Sequence, residues 1–541
     1  MKFRATLIVS LSAACLAQSP VPDTARMDQI VQSYVSAKQF MGSVLVARGD
    51  EILFNKSYGM SNLEWNISNT ATTKFRIGSI TKQFTAAAIL LLEEQGKLKV
   101  EDPVKKYMPD APAAWDKITL FNVLTHTGGI PNFTSFPDYP QKSLSPMTTE
   151  QIVAWFKDKP LDFDPGAKYS YSNSDYVLLG YLIEKLSGRS YEKFLQENIF
   201  MPLGMKDSGY DSNTAIIEHR ASGYSQTPEG LANAGYVNMT VPHGAGALYS
   251  TTLDLLKWEQ GLFGGKLLKP ESLGKMTTPF KENYGFGLGI RTTDGRKNIS
   301  HDGGIQGFNA ALGYYPETKI TVAVLSNLNG NAPNEMLPKL AAIAHGEAVQ
   351  LSSERKEIKL PRETLASYMG TYELQPRINM IITLDGDQLQ GQLSGQGKLP
   401  LFAQAEGKFF LKVVDAQLEF LKVANGKVAD VILHQNGRDQ KAHRISDTVA
   451  ERKEIKLPAD TLVAYAGNYD AGIAKIAVTF EDGRLMMQFG PQPKAESFAE
   501  SETSFFLKTV DAQIEFTKGA SGAVTGLTLH QGPRDLKAER K

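Results

Sequence analysis

A long internal repeat in the last third of the chain constrains its fold more than any other sequence feature. The eight residues that begin at Glu354 recur from Glu451, and the twelve that begin at Phe409 recur nearly unchanged from Phe505. The copies are separated by 96 or 97 residues. Because self-similarity at a fixed period indicates repeated structural units, we predict that the chain ends in two copies of one module.

Each copy has the pattern of an all-β domain. Short runs rich in Val, Ile, Phe and Leu alternate with turn sequences such as Asp385-Gly386, Asn425-Gly426 and Asp482-Gly483, which fits about eight strands per copy. A small antiparallel, lipocalin-like barrel leaves no unpaired strand edge. We therefore predict one barrel over residues 354–447 and a second over 451–541, with a structural or substrate-gating role.

Residues 22–350 have a mixed pattern that predicts an α+β domain. Gly42–Arg48 and Glu51–Phe54 flank Gly49-Asp50 and form a predicted hairpin. Long helical or loop segments follow, and strands return near the end of this region. The hairpin is expected to join those later strands in an antiparallel sheet with a helical insertion. The later strands are predicted at residues 284–290, 298–301, 310–315 and 320–325.

Length and charge narrow the possible classes of protein. The 541 residues are enough for about three domains. With 58 Lys and Arg against 58 Asp and Glu, the formal net charge is zero. Nothing in this balance recruits nucleic acid or an anionic membrane. A small-molecule partner is favoured over a polyanion, and no sequence pattern indicates a metal or another cofactor.

The N-terminus resembles a secretory signal peptide, predicted at residues 1–17. Lys2 and Arg4 precede an apolar run of about a dozen residues, which is too short to span a bilayer. We expect cleavage near Ala17 and a secreted or periplasmic protein. Alternatively, Cys15, the single cysteine, is lipidated as the first residue of the mature chain. Either outcome leaves no thiol nucleophile and no disulfide.

Ser79 and Lys82 form the first element of a predicted catalytic site. On a helix, residues three apart share a face, so the lysine amine can reach the hydroxyl. Ser79 opens an apolar run of helical period that ends near Gly96. Its backbone N–H at the helix start is available to an oxyanion. Taken alone, Ser79 could equally be a helix cap.

Three further serines precede a lysine by three residues, and their settings differ from that of Ser79. Ser190 begins an amphipathic helix after Gly188-Arg189, which predicts an N-cap. Ser272 is predicted as an N-cap after Pro270. Ser353 lies in the charged linker before the repeats.

Tyr171 and Asn173 form the second element of the site. They lie in a Pro-Gly loop that leads into an apolar helix. A tyrosine beside an ammonium is expected to have a lowered phenol pKa, which would make it a proton shuttle. Asn173 would orient both the lysine and a substrate amide.

The third element is His301-Asp-Gly-Gly304 on a predicted strand. His301 can lie across the site from the serine helix, and Gly303 would let a substrate approach the backbone closely. The N–H of Gly304 is a candidate second oxyanion donor. His126, in a similar His-Thr-Gly-Gly sequence, is interpreted as structural.

The three ordered motifs resemble those of the penicillin-binding-protein-like serine hydrolases, which include class C β-lactamases, carboxylesterases and D-amino-acid peptidases. The resemblance covers about residues 25–345 and extends to the phrases around Ser79, His126 and Phe308. It implies a β-lactamase/transpeptidase-like catalytic domain. It also implies an acyl-enzyme on Ser79, with Lys82 and Tyr171 relaying its proton and either of them serving as the base.

One departure from the β-lactamase pattern bears on the substrate. His301 stands where those enzymes have a lysine, which offers a permanent charge to a substrate carboxylate. The sequence is similar in this respect to D-aminopeptidases and esterases, and D-aminopeptidases also carry two barrels. We therefore expect hydrolysis of a small D-amino-acid peptide, amide or ester. The alternatives are a β-lactamase or D-Ala-D-Ala carboxypeptidase, and a non-catalytic receptor or scaffold.

Overall fold

The structure is a computed structural model that describes residues 23–541, except 228, 294, 425, 436–437, 450–451, 473, 491 and 533. The predicted signal peptide and Cys15 lie outside the described residues. One compact unit ends at Val349 and a second begins at Gln350. Among the described residues, no helix is both long and apolar enough to cross a membrane.

A six-stranded antiparallel sheet forms the centre of the first unit. The predicted hairpin does join the later strands, since Val44 pairs with Val324. The two strands that meet there are buried almost throughout, as expected for a sheet covered on both faces. In the order β3-β4-β5-β6-β1-β2, the strands are β1 (Gly42–Arg48), β2 (Glu51–Tyr58), β3 (Gly289–Thr293), β4 (Arg296–Ile305), β5 (Phe308–Tyr315) and β6 (Ile320–Ser326).

The strand predicted to begin at Tyr284 begins instead at Gly289. The preceding residues form a loop because Gly287 has φ +70° and passes close to the helix that follows Ser79. A Cβ at Gly287 would lie 2.7 Å from the carbonyl oxygen of Lys82. Alternation of apolar residues in the sequence could not reveal this contact.

The first unit has five long helices in the described part of the chain, of which α1, α4 and α5 pack on the sheet. Residues of β5 show that both faces are covered, because Gly313 faces Leu337 whereas the next residue, Tyr314, stacks on Phe263. The long helices are α1 (Thr24–Ser36), α2 (Thr81–Glu94), α3 (Asn173–Ser187), α4 (Thr252–Phe263) and α5 (Ala332–Ala344). Shorter helices in this unit are Leu120–Leu124, Tyr139–Lys142, Thr149–Lys157, Tyr191–Leu195, Met201–Leu203, His243–Gly246 and Pro270–Met276. Short strand segments are Met60–Asn62, Ile67–Ser68, Phe75–Arg76, Gly209–Tyr210, Tyr224–Thr227, Gly230–Asn233 and Leu248–Ser250.

Helix α2 is buried on every side over its first ten residues. The sequence indicated one apolar stripe, but α3 and the segment His243–Gly246 also contact this helix. Phe84 stacks on Trp258 with ring centroids 4.0 Å apart. A lysine in the first turn of such a helix is therefore removed from water.

The second unit contains two closed eight-stranded antiparallel barrels, as the repeat predicts. A short helix precedes each barrel, at Arg362–Ala366 and Ala459–Tyr465. The first barrel comprises Gly370–Gln375, Ile378–Asp385, Gln388–Leu393, Leu399–Ala405, Lys408–Phe410, Ala416–Lys422, Val428–Gln435 and Arg438–Ser446. The second comprises Gly467–Asp470, Lys475–Glu481, Arg484–Phe489, Ala495–Ala499, Ser504–Leu507, Ala512–Lys518, Val524–Gln531 and Arg534–Arg540.

An arginine in the last strand of each barrel binds the carbonyl oxygen of the residue just before the first strand and one in the seventh strand. Arg444 donates to the carbonyl oxygens of Met369 and Val428. In the second copy, Arg540 donates to those of Ala466 and Val524. The repeated sequence thus preserves a specific tertiary contact as well as the strand pattern.

Candidate active site

Ser79 lies in a 3₁₀ turn, Gly78–Ile80, directly before α2. It lines a cavity of about 440 Å³. The turn packs tightly on β4, because Gly78 has φ +50° and a Cβ there would lie 2.8 Å from the nitrogen of Gly304. A glycine before the serine thus allows this turn to approach the strand.

Lys82 is fully buried and points at the serine. Its Nζ makes three hydrogen bonds, with Ser79 Oγ at 3.1 Å, Asn173 Oδ1 at 2.9 Å and the Ala245 carbonyl oxygen at 2.8 Å. Burial lowers the pKa of the Lys82 amine to about 7, although the nearby carboxyl groups of Asp302 and Asp175 oppose this shift.

Tyr171 lies two residues before α3, with its ring centroid 4.8 Å from Lys82 Nζ. The expectation of a lowered phenol pKa is wrong. Desolvation raises the pKa of Tyr171 above its usual value, and a hydrogen bond with Ser79 only partly opposes the rise. In the free protein the phenol is therefore a neutral hydrogen-bond donor at physiological pH.

Asn173 is the first residue of α3, and it links the lysine to the cavity wall. Its Oδ1 accepts the hydrogen bond from Lys82, and its Nδ2 donates to Thr134 Oγ1 at 3.1 Å. The backbone N–H of Asn173 donates to Asn132 Oδ1 at 3.1 Å. These contacts fix the orientation of the amide.

His301, Gly303 and Gly304 follow one another along β4 but have different surroundings. His301 is 8 % exposed, with Nε2 3.0 Å from Tyr284 Oη and Nδ1 2.6 Å from the carbonyl oxygen of Asp302. Burial lowers the pKa of His301, so the ring is neutral at physiological pH. Gly304 lines the cavity, whereas neither His301 nor Gly303 is part of its described wall.

The close approach expected at Gly303 is made by the chain itself and not by a substrate. A Cβ at this position would lie 1.9 Å from the carbonyl oxygen of Ile77 and 3.2 Å from the nitrogen of Ser79. Gly303 therefore allows the serine turn to rest on the backbone of β4. This contact brings the candidate oxyanion donors, the N–H groups of Ser79 and Gly304, into one region.

The cavity wall is uncharged. Among its lining residues, all of which belong to the described part of the chain, there is no Asp, Glu, Lys or Arg. Polar contacts come from hydroxyl, amide and backbone groups. The wall consists of Ser79, Phe133, Thr134, Tyr139, Asn173, Val237, Pro242, Ala245, Gly246, Gly304, Ile305, Gln306 and Asn329.

The three other serines that precede a lysine by three residues lie outside the cavity wall. Ser190 is an N-cap, as predicted, and its hydroxyl accepts a hydrogen bond from the backbone N–H of Lys193 at 3.2 Å. The prediction for Ser272 is wrong, because the helix Pro270–Met276 is capped at Lys269 and Ser272 lies inside it. Ser353 lies in a 3₁₀ turn.

Sequence reasoning missed two groups that contact this site. The carbonyl of Ala245 carries no motif because every residue has one. Asp175, which is fully buried behind the lysine, did leave a signal. It lies on the same helical face as Leu178, Leu179 and Leu182, and an acid on an apolar stripe is unusual. Across the described residues, no group of three or more His, Cys, Asp or Glu side chains could hold a metal ion.

Two known family models match this chain, and together they cover most of it. The family model "Beta-lactamase" matches residues 27–346. A domain of unknown function, DUF3471, matches residues 354–444 and again 451–540. The two matches to the second model correspond to the repeated barrels.

Two bacterial relatives are similar over much of the chain. "Penicillin-binding protein 4*" of Bacillus subtilis (strain 168) is 30% identical over 434 residues, which cover 75% of this chain and 95% of the relative. "Teichoic acid D-alanine hydrolase" of Staphylococcus aureus (strain MRSA252) is 29% identical over 310 residues, covering 56% of this chain and 74% of the relative.

Solved structures agree with this assignment. The octameric penicillin-binding protein homologue from Pyrococcus abyssi is 28% identical with a TM-score of 0.56, and the alignment covers 78% of this chain and all of that one. D-amino acid amidase from Ochrobactrum anthropi SV3 is 27% identical with a TM-score of 0.52, covering 59% and 96% of the two chains. The chain therefore belongs to the beta-lactamase family and is a serine hydrolase of that family.

Proposed function

We propose that Ser79 is the nucleophile of an acyl-enzyme mechanism and that neutral Lys82 is its general base. The three contacts of the lysine carry this proposal. A neutral amine has two N–H groups and one lone pair, and the oxygens of Asn173 and Ala245 can only accept. Both N–H groups are thus committed, and the lone pair is left for the hydroxyl proton of Ser79.

The remaining groups have complementary roles in this scheme. Ser79 Oγ attacks the substrate carbonyl carbon while Lys82 takes its proton, and the N–H groups of Ser79 and Gly304 stabilise the oxyanion. The neutral phenol of Tyr171 relays the proton to the departing nitrogen or oxygen as its bond to carbon breaks. Water then attacks the acyl carbon and releases the acid, which restores Ser79.

His301 and Gly303 support this arrangement from behind the cavity. Both ring nitrogens of His301 are engaged by protein groups, Nε2 by Tyr284 Oη and Nδ1 by the Asp302 carbonyl oxygen, so we assign it no direct contact with substrate. Gly303 admits the serine turn, as described above. Asn173 orients the lysine and remains available to a substrate amide.

The substrate class that we favour is a small D-amino-acid amide, peptide or ester. The uncharged cavity wall offers no cation to a substrate carboxylate, which disfavours β-lactams and D-Ala-D-Ala peptides. Two relatives have names that point the same way, since one is a D-alanine hydrolase and the other a D-amino acid amidase. The signal-like N-terminus further supports export from the cytoplasm.

The test compares Ser79→Ala with Ser190→Ala, a serine in the same Ser-x-x-Lys spacing that only caps a helix. D-alanine p-nitroanilide, p-nitrophenyl acetate and a chromogenic cephalosporin are the substrates. We expect Ser79→Ala to abolish turnover and the acetyl adduct seen by mass spectrometry, while Ser190→Ala retains both. Full turnover by Ser79→Ala would refute the nucleophile, and preferential cephalosporin hydrolysis would refute the substrate class.

A further inference from the structure

His126 is a fully buried histidine that the mechanism above does not use. It has φ +55°, a conformation that is uncommon for a side chain of this size. Its ring lies against that of Tyr171, with centroids 4.5 Å apart. A strained histidine beside a proposed catalytic group invites a functional explanation.

His126 holds the backbone on both sides of Tyr171. The N–H of Ser170 donates to the His126 carbonyl oxygen at 2.9 Å. The N–H of Ser172 donates to His126 Nδ1 at 3.3 Å. His126 thus binds the backbone before and after Tyr171 and packs on its ring. These contacts restrict both the backbone and the side chain of the tyrosine.

The hydrogen bonds around His126 also indicate the protonation of its partner. A backbone N–H can only donate, so Nδ1 must offer its lone pair to Ser172. Asp175 Oδ2 lies 2.7 Å from the same nitrogen. With no proton on Nδ1, the proton between these atoms belongs to Asp175, which is then a neutral acid that donates to the ring.

Burial is consistent with a neutral pair. It raises the pKa of Asp175 well above its usual value and lowers the pKa of His126 well below its own, while a charge on Lys82 opposes the rise at Asp175 and adds to the fall at His126. Asp175 Oδ1 and His126 Nε2 are buried with no hydrogen-bond partner among the described residues. The ring proton of neutral His126 is then on Nε2, a buried N–H without a partner, and this costs less than an ion pair with two unpartnered atoms.

We propose that His126, held by a protonated Asp175, is a positioning residue that fixes Tyr171 beside Ser79 and Lys82. The inference rests on the proposed function, because it assigns His126 to the proton relay of that mechanism. It predicts that loss of the donor at Asp175 slows the chemical step without weakening substrate binding.

Two substitutions of Asp175 by residues of similar size show whether its role depends on a hydrogen-bond donor or on a negative charge. Asp175→Asn keeps an N–H that can donate to Nδ1, whereas Asp175→Leu keeps the volume and removes the donor. Turnover of p-nitrophenyl acetate is measured for both, and kcat is normalised to the sites that titrate as acetyl-enzyme, so that unfolded protein is not counted. Thermal unfolding is measured alongside.

We expect Asp175→Asn to keep kcat within about threefold of the unsubstituted protein. Asp175→Leu is expected to lower kcat about 10- to 100-fold, with KM changed by less than about threefold. Equal losses in both variants would overturn the protonated acid, since the neutral Asn side chain would then be unable to replace a charged carboxylate. An unchanged kcat in Asp175→Leu would overturn the positioning role.

A measurement on the unsubstituted protein covers the case in which Asp175→Leu does not fold. In protein labelled with ¹⁵N-histidine, the Nδ1 signal of His126, identified by its loss in His126→Asn, should be that of an unprotonated ring nitrogen at pH 7. A protonated Nδ1 would overturn the proposal. Failure of the nucleophile is distinguishable, because only Ser79→Ala reports on it.

Discussion

The amine of Lys82 and the hydroxyl of Ser79 lie 3.1 Å apart, where the buried first turn of α2 meets a cavity. Burial of the amine is what makes this short distance chemically useful. An exposed lysine would be an ammonium at neutral pH and would have no lone pair to offer. In the mechanism that we propose, the charge state of Lys82 controls how readily Ser79 loses its proton.

Activity should therefore depend on pH through Lys82. Its pKa is lowered to about 7, so the amine is protonated and inactive as a base below that pH and neutral above it. We expect kcat/KM on p-nitrophenyl acetate to rise about tenfold per pH unit below pH 7 and to level off above. A profile without a transition between pH 6 and 8 would contradict Lys82 as the base.

Replacement of the base by a permanent cation tests the same point independently of pH. Lys82→Arg retains a positive side chain but has no lone pair, because guanidinium stays protonated in proteins. We expect a loss of at least about 10³-fold in acylation rate. Lys193→Arg is the matched control, since Lys193 has the same spacing from Ser190 on the surface and should retain full activity.

Glu259 predicts a pH-dependent stability that is unrelated to catalysis. This side chain is 2 % exposed, and burial raises its pKa to about 8 from the usual value near 4.5. Between those two values the folded state keeps a proton that the unfolded state loses, so stability falls as pH rises through this range and the loss is complete above pH 8.

Glu259→Gln should remove this dependence. The variant is expected to match the unsubstituted protein near pH 5 and to be more stable at pH 9, by a few kcal/mol at most, on the order of 1.4 kcal/mol per pKa unit. Thermal unfolding at both pH values is the measurement. The exposed Glu51→Gln should show no such difference, and equal behaviour of the two variants would refute the prediction.

Gly303 and Gly304 are adjacent on β4 but should differ in their tolerance of alanine. A Cβ at Gly303 would collide with the Ile77 carbonyl, whereas at Gly304 the nearest atom is Asn309 Nδ2 at 3.2 Å. We expect Gly303→Ala to cost about 1–3 kcal/mol and to displace Ser79, with loss of activity. Gly304→Ala should unfold at nearly the same temperature as the unsubstituted protein.

The uncharged cavity wall predicts that one added cation changes substrate preference. Gln306→Lys places an amine at the wall, whereas Gln306→Met has a similar size and no charge. We expect only the lysine variant to gain activity on a carboxylate-bearing ester relative to its neutral methyl ester, by about tenfold. Equal ratios for both variants would contradict the role assigned to charge.

Local patterns in the sequence predicted the parts of the molecule that depend on neighbours along the chain. The repeat and its alternating residues were enough for the two barrels, and Ser79, Tyr171 and Gly304 were recognisable in short motifs. Where distant segments meet, prediction failed. The backbone at Gly287 leaves the strand conformation where it approaches the carbonyl of Lys82 on α2, and no neighbouring residue in the sequence indicates that contact.

Burial was the other source of error. The phenol pKa of Tyr171 was expected to fall because of the lysine, but in the folded chain that lysine is itself desolvated and the ring loses its water. Asp175 and His126 are 49 residues apart in sequence and meet only in the fold. Residue spacing predicts neither the desolvation of Tyr171 nor the contact between Asp175 and His126.

The contact between Gly303 and Ile77 positions the serine independently of the side chains that shape the cavity. The position of the reacting serine is set by main chain resting on main chain, so it does not depend on which side chains form the cavity wall. Wall residues that take no part in the proposed chemistry, such as Phe133, Val237 and Gln306, can therefore change without moving the serine. Such a scaffold can acquire new substrates in small steps, and directed evolution of this protein should begin with those residues and leave β4 unchanged.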